Sequence, residues 1–434
     1  MIDDALVRRL RQQVSDLLAE HVRAAEETGR PLERDAQRGL AAELIARQLD
    51  VVARERLDAG DDPLALADED ALRDAVFHAL FGLGALERYL QDPTVENIVA
   101  NGCDQVWLLH ADGTKRRGEP IAASDEDLVA LLQAAASRMG RSERRFDIAE
   151  PELNLRLPDG SRLHAVMAVS KRPSITIRRH RHAKVTLEDL VGLGTLSPEL
   201  AEFCRALVLA RRNIAVVGGT NVGKTTFLRA LINTVPAEER LVVVEDESEL
   251  NLSDFPELHE DVVELERRQA NIEGRGEIDM WQLVRMTLRM APQRIIVGEV
   301  RGGEVVNMLL AMSHGNDGSM CTLHADSSAG AFTKIQLYAG MAQEPLSADT
   351  ARVLIATSLH FVVHLRQLPD GRRVVSSVRE VTGEDGAQIQ TNEVLRPGRD
   401  GVAVVGDPLS DANLHRLLAV GFDPATLLAG SWSP

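Results

Sequence analysis

The stretch Gly218-Gly219-Thr220-Asn221-Val222-Gly223-Lys224-Thr225 decides how this chain folds. It fits the pattern G-x-x-x-x-G-K-[ST], with the apolar run Ile214–Val217 before it and the helical stretch Thr226–Ile232 after it. Glycines let the backbone curl so that successive N–H groups point inward at phosphates. The helix that follows adds the positive end of its dipole. Lys224 then reaches the β- and γ-phosphates, and the Thr225 hydroxyl is a ligand for Mg2+. Residues Gly218, Gly219, Thr220, Asn221, Val222, Gly223, Lys224, Thr225 and Thr226 are therefore the expected cradle for ATP with Mg2+.

Two acids follow, each closing an apolar run: Leu241-Val242-Val243-Val244-Glu245 and Arg294-Ile295-Ile296-Val297-Gly298-Glu299. Short apolar runs without alternation are expected for strands buried on both faces of a parallel sheet. Ligands of open α/β sheets lie at the carboxyl ends of such strands, so both carboxylates are placed to face the phosphates. One would hold Mg2+ and the other would polarise the attacking water; the residues alone leave open which does which. Arginines are the third element, since a guanidinium meets spreading γ-phosphate charge with a planar fork of donors. The candidates are Arg162, Arg178, Arg179 and Arg268. Last comes the polar, glycine-spaced segment from Ser313 to His324. Cys321 and His324 lack a second Cys/His pair nearby to complete a zinc site, so a histidine and a threonine acting as γ-phosphate sensors is the favoured reading.

Outward from this centre the texture changes. Residues 1–88 read as a helical extension, with Leu6, Leu10, Val14, Leu17 and Val22 at helical spacing and breaks at Gly29-Arg30-Pro31 and Asp61-Asp62-Pro63. Residues 89–177 read as a small α+β domain with hairpin turns at Ala111-Asp112-Gly113 and Pro158-Asp159-Gly160. A linker is expected over 178–190, including Arg178-Arg179-His180-Arg181-His182, then an α/β nucleotide domain over 191–385 and a C-terminal tail over 386–434. A further hairpin turn is expected at Leu368-Pro369-Asp370-Gly371. The 434 residues are 44% apolar and 26% charged, the balance of a globular protein. The net charge of −17 and 3% aromatic content speak against a nucleic-acid channel, which needs a basic groove and stacking rings. The charged opening has no secretory h-region, and the most apolar stretch, residues 75–86, is too short to span a bilayer, so a cytoplasmic location is expected. Three scattered cysteines argue against a disulfide framework.

Together these residues resemble the secretion-superfamily ATPases that power type II and type IV secretion and type IV pili, and most of all the CpaF-like ATPases of Flp/Tad pilus machines. The resemblance is carried by Leu90-Gln91-Asp92-Pro93-Thr94-Val95-Glu96-Asn97-Ile98, Asp159-Gly160-Ser161-Arg162, Ser174-Ile175-Thr176-Ile177-Arg178-Arg179 and the glycine loop. It continues through the run from Leu265 to Gly274, through Leu288-Arg289-Met290-Ala291-Pro292, the run from Ile295 to Glu304, and Thr322-Leu323-His324-Ala325. It implies a RecA-like P-loop domain preceded by a PAS-like α+β domain, assembled as a homo-hexamer docked on a polytopic inner-membrane platform, with no nucleic acid. It further implies that Glu245 activates water, Glu299 helps hold Mg2+, His324 is the second histidine of a His box, and Arg162, Arg178 and Arg268 approach the phosphates. The chain departs from the family pattern at Asn316, where the first His-box histidine is usual and His314 stands two positions early. It departs also at Gln293 and at Asn221-Val222. Two other readings share the P-loop: a DNA-handling ATPase, and a regulatory nucleotide-binding protein with slow turnover.

Overall fold

The structure, a computed structural model, describes residues 4–28, 32–110, 113–139, 145–179, 184–270, 274–386 and 388–429. They divide into two compact units, one within Met1–Arg181 and one within His182–Pro434. Among the described residues no helix is long and apolar enough to cross a membrane.

The first unit opens with three helices, α1 (Asp4–Glu27), α2 (Arg34–Asp58) and α3 (Leu66–Phe81). Leu10, Val14, Leu44, Ile45, Leu72 and Val76 form their shared core, so the helical spacing read from Leu6 onward marks a real apolar stripe. The break expected at Asp61-Asp62-Pro63 falls between α2 and α3; that at Gly29-Arg30-Pro31 lies outside the described residues. After a short α4 (Glu87–Gln91) come β1 (Val95–Asn101), β2 (Val106–His110), β3 (Lys115–Arg117), α5 (Asp125–Met139), β4 (Glu152–Arg156), β5 (Arg162–Val166) and β6 (Ser174–Arg178). The six strands form one sheet in the order β3-β2-β1-β6-β5-β4, antiparallel throughout. Pro158-Asp159-Gly160 turns β4 into β5 as expected, whereas Ala111 and Asp112 lie outside the described residues.

The second unit begins with α6 (Leu187–Gly192) and α7 (Pro198–Leu209). The linker expected as far as 190 is thus corrected: Thr186 and Asp189 close a capping box on α6, and Leu187 and Leu190 enter the core of this unit. Residues 180–183 lie outside the described residues. There follow β7 (Ile214–Gly218), α8 (Lys224–Ile232), β8 (Leu241–Glu245), β9 (Val262–Glu266), α9 (Met280–Thr287), β10 (Arg294–Val300), α10 (Glu304–Ser313), β11 (Met320–His324), α11 (Gly330–Gly340) and α12 (Ala348–Ser358). The chain ends in β12 (Phe361–Gln367), β13 (Arg373–Glu384), β14 (Ile389–Pro397), β15 (Ala403–Val405), α13 (Asp411–Ala419) and α14 (Ala425–Ala429). Nine strands pair in the order β15-β14-β13-β12-β7-β11-β10-β8-β9. Strands β12 through β9 in that order are mutually parallel, and β13, β14 and β15 continue the sheet antiparallel. Every residue of β7 and β8 is buried, which is why their sequences show no alternation. The segment 386–434 is a correction as well, because β14 and β15 extend the main sheet and α13 is tied to it through buried Glu380, which accepts from Asn413 Nδ2 at 2.6 Å.

Candidate nucleotide site

Because β7, β8, β10 and β11 run parallel, their carboxyl ends share one edge of the sheet. Register fixes who meets there: His324 pairs with Gly218, Leu323 with Val300, and Val297 with Val244. Gly218, Glu245, Glu299 and His324 are brought to one rim by strand pairing alone. Gly218 has to be glycine, since a Cβ there would stand 2.4 Å from the Leu365 carbonyl oxygen of β12. The loop then turns through Asn221, at φ 62°, and Gly223, at φ 90°, into α8. Asn is among the few side chains that tolerate that conformation.

Lys224 is only 8% exposed. Its Nζ donates to the carbonyls of Gly218 (3.2 Å) and Gly219 (2.8 Å), and stands 3.3 Å from His324 Nδ1. His324 Nε2 lies 2.7 Å from Glu299 Oε1. Burial and the neighbouring Lys224 charge hold the imidazole below its usual pKa. A neutral ring beside an ammonium has one sensible tautomer, with Nδ1 accepting from Lys224 and the proton on Nε2, the nitrogen that faces Glu299. Burial likewise depresses Lys224, against the pull of Glu299 and Glu249. From Glu299 the chain of contacts goes on: Arg301 donates from Nε to Glu299 Oε2 at 2.7 Å and from Nη1 to Asp246 Oδ2 at 3.0 Å. Arg267 reaches the other oxygen of Asp246 at 3.2 Å. Beside these groups opens a cavity of about 310 Å³, lined among others by Asp246, Arg267, Trp281, Glu299, Arg301 and Met341.

Glu245 occupies a different environment. It is 3% exposed, and its carboxyl oxygens accept the backbone N–H groups of Glu249 (3.1 Å) and Leu250 (3.2 Å). Burial pushes its pKa up to about 8. Its side chain fits only because residue 298 is glycine: a Cβ on Gly298 would stand 2.8 Å from Glu245 Cγ. The first acid is thus enclosed beneath the loop that follows β8, while the second, Glu299, faces the lysine.

The other candidates are placed as follows. Arg268 sits on the loop after β9, where its Nε donates to the Gly276 carbonyl at 2.6 Å; it is the adjacent Arg267 that touches the rim. Asn271, Ile272 and Glu273 of the same motif lie outside the described residues. Arg162 and Arg178 belong to the first unit, directly opposite each other on β5 and β6, and Arg156 of β4 stands opposite Arg162 to complete a row of three. Thr322 is 1% exposed and donates to the Gly298 carbonyl at 2.6 Å, so it ties β11 to β10. His314 and Asn316 precede the amino end of β11, whereas His324 closes its carboxyl end, about 13 Å away at about 3.3 Å per residue. Asn316 Nδ2 donates to the Ala311 carbonyl at 3.1 Å and the His314 ring meets that of Leu310, so both finish α10. Sequence reasoning missed Glu249, Arg267 and Arg301: both arginines lie inside runs that carry the resemblance, and Glu249 is one of three acids between Glu245 and Leu250. Glu249 Oε2 accepts from the Thr225 hydroxyl at 3.0 Å.

Known proteins resemble this chain in sequence and in fold. A putative conjugal transfer protein of Mycobacterium tuberculosis is 33% identical over 316 residues, covering 71% of this chain and 86% of that protein. The type IV secretion system protein VirB11 of Brucella suis is 28% identical over 325 residues, covering 69% and 88%. The pilus retraction motor PilT with bound ADP shares the fold at a TM-score of 0.51 and 15% identity, over 81% of this chain and 97% of that one. The Legionella pneumophila ATPase DotB does so at 0.50 and 16%, over 80% and 84%. The model of the type II/IV secretion system protein family matches residues 80–405, three quarters of the sequence, and the chain belongs to that family.

Proposed function

We propose that the chain is an ATP-hydrolysing motor subunit of a secretion or type IV pilus machine of the CpaF-like Flp/Tad class. It works as a homo-hexameric ring at the inner face of the cytoplasmic membrane, against a polytopic platform protein, with its α+β unit as the PAS-like N-terminal domain. The observation that carries this reading is the line Lys224–His324–Glu299, in contact at 3.3 and 2.7 Å at the mouth of the glycine loop. Such a line couples what the lysine binds to the carboxylate that faces it. On nucleotide binding Lys224 leaves the Gly218 and Gly219 carbonyls for the phosphates, and His324 loses its lysine partner. Thr225 and Glu299 offer the hard oxygen donors that Mg2+ takes, and their chemistry fits it. When bound, Mg2+ neutralises phosphate charge. Glu245 shapes the loop above it, and Arg162, Arg178 and Arg268 supply positive charge where subunits meet. The acidic net charge supports a protein-handling over a DNA-handling motor.

The test is phosphate release by the wild type, Lys224→Ala and Glu299→Gln, with and without DNA. Wild-type turnover should fall about 10²-fold or more in both variants, from lost charge stabilisation and positioning, and DNA should not stimulate it. Parental rates in Lys224→Ala would end the reading.

A further inference from the structure

Helices α9, α10, α11 and α12 pack on one face of the nine-stranded sheet, and a groove stays open between α10 and α12. Val306 and Leu310, one turn apart on α10, line it together with Leu346 around a cavity of about 490 Å³. Along α12 the lining residues Thr350, Val353, Leu354 and Thr357 recur at i, i+3, i+4 and i+7, so a whole stripe of that helix borders the groove. Val353 is 46% exposed, and on the adjoining α11 Leu337 is 54% and Met341 66% exposed. Single exposed apolar residues are ordinary, but a set gathered beside an open slot marks a binding surface. The charge around the slot has one sign. No lysine or arginine stands on α10, and α12 carries only Arg352, whose side chain is 14% exposed and is taken up by Asp349 and the Gly386 carbonyl. Asp349, with its side chain 84% exposed, lines the groove, and Glu344 is exposed two residues before Leu346. The Arg352 bond to Gly386 also fastens the tip of the β13–β14 hairpin to α12, and exposed Glu384 and Asp385 come with it.

We infer that this groove is the docking site for a basic amphipathic helix of a partner protein, an apolar stripe flanked by lysine or arginine. An apolar slot between two helices accepts a third through that helix's own i, i+3, i+4 and i+7 side chains. The stripe from Thr350 to Thr357 runs about 10 Å at about 1.5 Å per residue, so it seats about two turns. Charge then selects the helix: basic flanks meet Asp349, Glu344 and the hairpin tip, and acidic flanks are repelled. Two copies joined groove to groove would set acid against acid, which disfavours a second copy as the occupant. No residue of the groove belongs to the nucleotide site. Only the source of the helix rests on the motor reading given above: cytoplasmic segments of membrane proteins are rich in lysine and arginine beside the bilayer, the composition a membrane platform would offer.

The test uses the full-length protein and a fluorescein-labelled helical peptide with leucines at i, i+3, i+4 and i+7 and lysines elsewhere. Its twin carries glutamates in place of the lysines. Fluorescence anisotropy at about 0.15 M salt should show the lysine peptide bound and the twin at least about tenfold weaker. Val353→Glu, which puts a charge into the slot, should weaken the lysine peptide about tenfold or more. Asp349→Lys should weaken it about threefold and strengthen the glutamate twin, the modest size expected of an exposed charge. Melting temperature and phosphate release should match the wild type in both variants. Lys224→Ala should bind the peptide as the wild type does, so failure of the groove and failure of the nucleotide reading give different results. Equal binding of the two peptides, or wild-type binding in Val353→Glu, overturns the inference. So does a fall in mass by light scattering in Val353→Glu without peptide, which would make the groove a contact between copies.

Discussion

Gly298 lets two acids only a strand apart live in unlike surroundings. Without a side chain it admits Glu245 beneath the loop, and the next residue, Glu299, is free to face the lysine and the histidine. Adding one methyl group at 298 brings a carbon to 2.8 Å from Glu245 Cγ, closer than side chains pack, so Glu245 has to move and takes the N–H groups of Glu249 and Leu250 with it. Overpacking of this kind is worth about 1–3 kcal/mol. Gly298→Ala should therefore lower the melting temperature by several degrees and reduce hydrolysis at least tenfold. Nucleotide affinity in EDTA should be kept, because the glycine loop is untouched. Calorimetry with a phosphate-release assay checks this; a variant with parental stability and rate would show that Glu245 is not seated as described.

At the scale of elements, a strand of five residues separates two histidines that sequence proximity invites one to group. Because β11 is extended, His314 and His324 face opposite edges of the sheet, and His314 spends its ring on the last turn of α10. His314→Ala should leave hydrolysis within about twofold of wild type, and Asn316→His should not raise it, as steady-state rates will show. A strong rate loss in His314→Ala at normal affinity would contradict that placement. At that same amino-terminal edge His360 Nδ1 accepts the Asn213 N–H at 2.8 Å, and burial holds its pKa down to about 4, as it does for His259. An unfolded histidine titrates near pH 6.5, so the unfolded chain binds more protons between these values. Stability should be full above about pH 6.5 and fall as the pH drops toward 4. His360→Gln should flatten part of that slope in melting curves taken from pH 7.5 to 5.

Elements also explain what the sequence could and could not announce. The glycine loop and the runs ending in Glu245 and Glu299 are legible because burial on both faces leaves no room for polar residues. Asp-Gly turns are legible because few other pairs accept their backbone angles. Strands β14 and β15 were read as a tail because they sit at the edge, half exposed, where Ile389–Pro397 carries mostly polar side chains. Glu249 was invisible for another reason: in a run of acids, only the backbone bonds of the folded loop distinguish the one that is aimed. Arg267 and Arg301 owe their importance to Asp246, a partner 21 residues from one and 55 from the other.

At the scale of the molecule the chemistry and the arginines are divided between two units, with the row Arg156, Arg162 and Arg178 in the first and the glycine loop in the second. In the proposed ring a guanidinium of this row meets nucleotide phosphate where subunits join, so activity should require assembly. Specific activity should rise with protein concentration as mass by light scattering moves from monomer to hexamer, and Arg162→Ala should stay slow at every concentration. A monomer with full activity would remove the ring from the mechanism.

One consequence of Lys224 resting on its own loop carbonyls concerns selectivity. A lysine already satisfied by Gly218, Gly219 and His324 is not an open hand; it must let go before it can take hold. Each contact it makes with a phosphate is then an exchange and not a clean gain, because the carbonyls it leaves must find other partners. A ligand that offers weaker acceptors than the loop's own carbonyls is turned away, so the resting lysine sets a threshold that a bound anion has to pass.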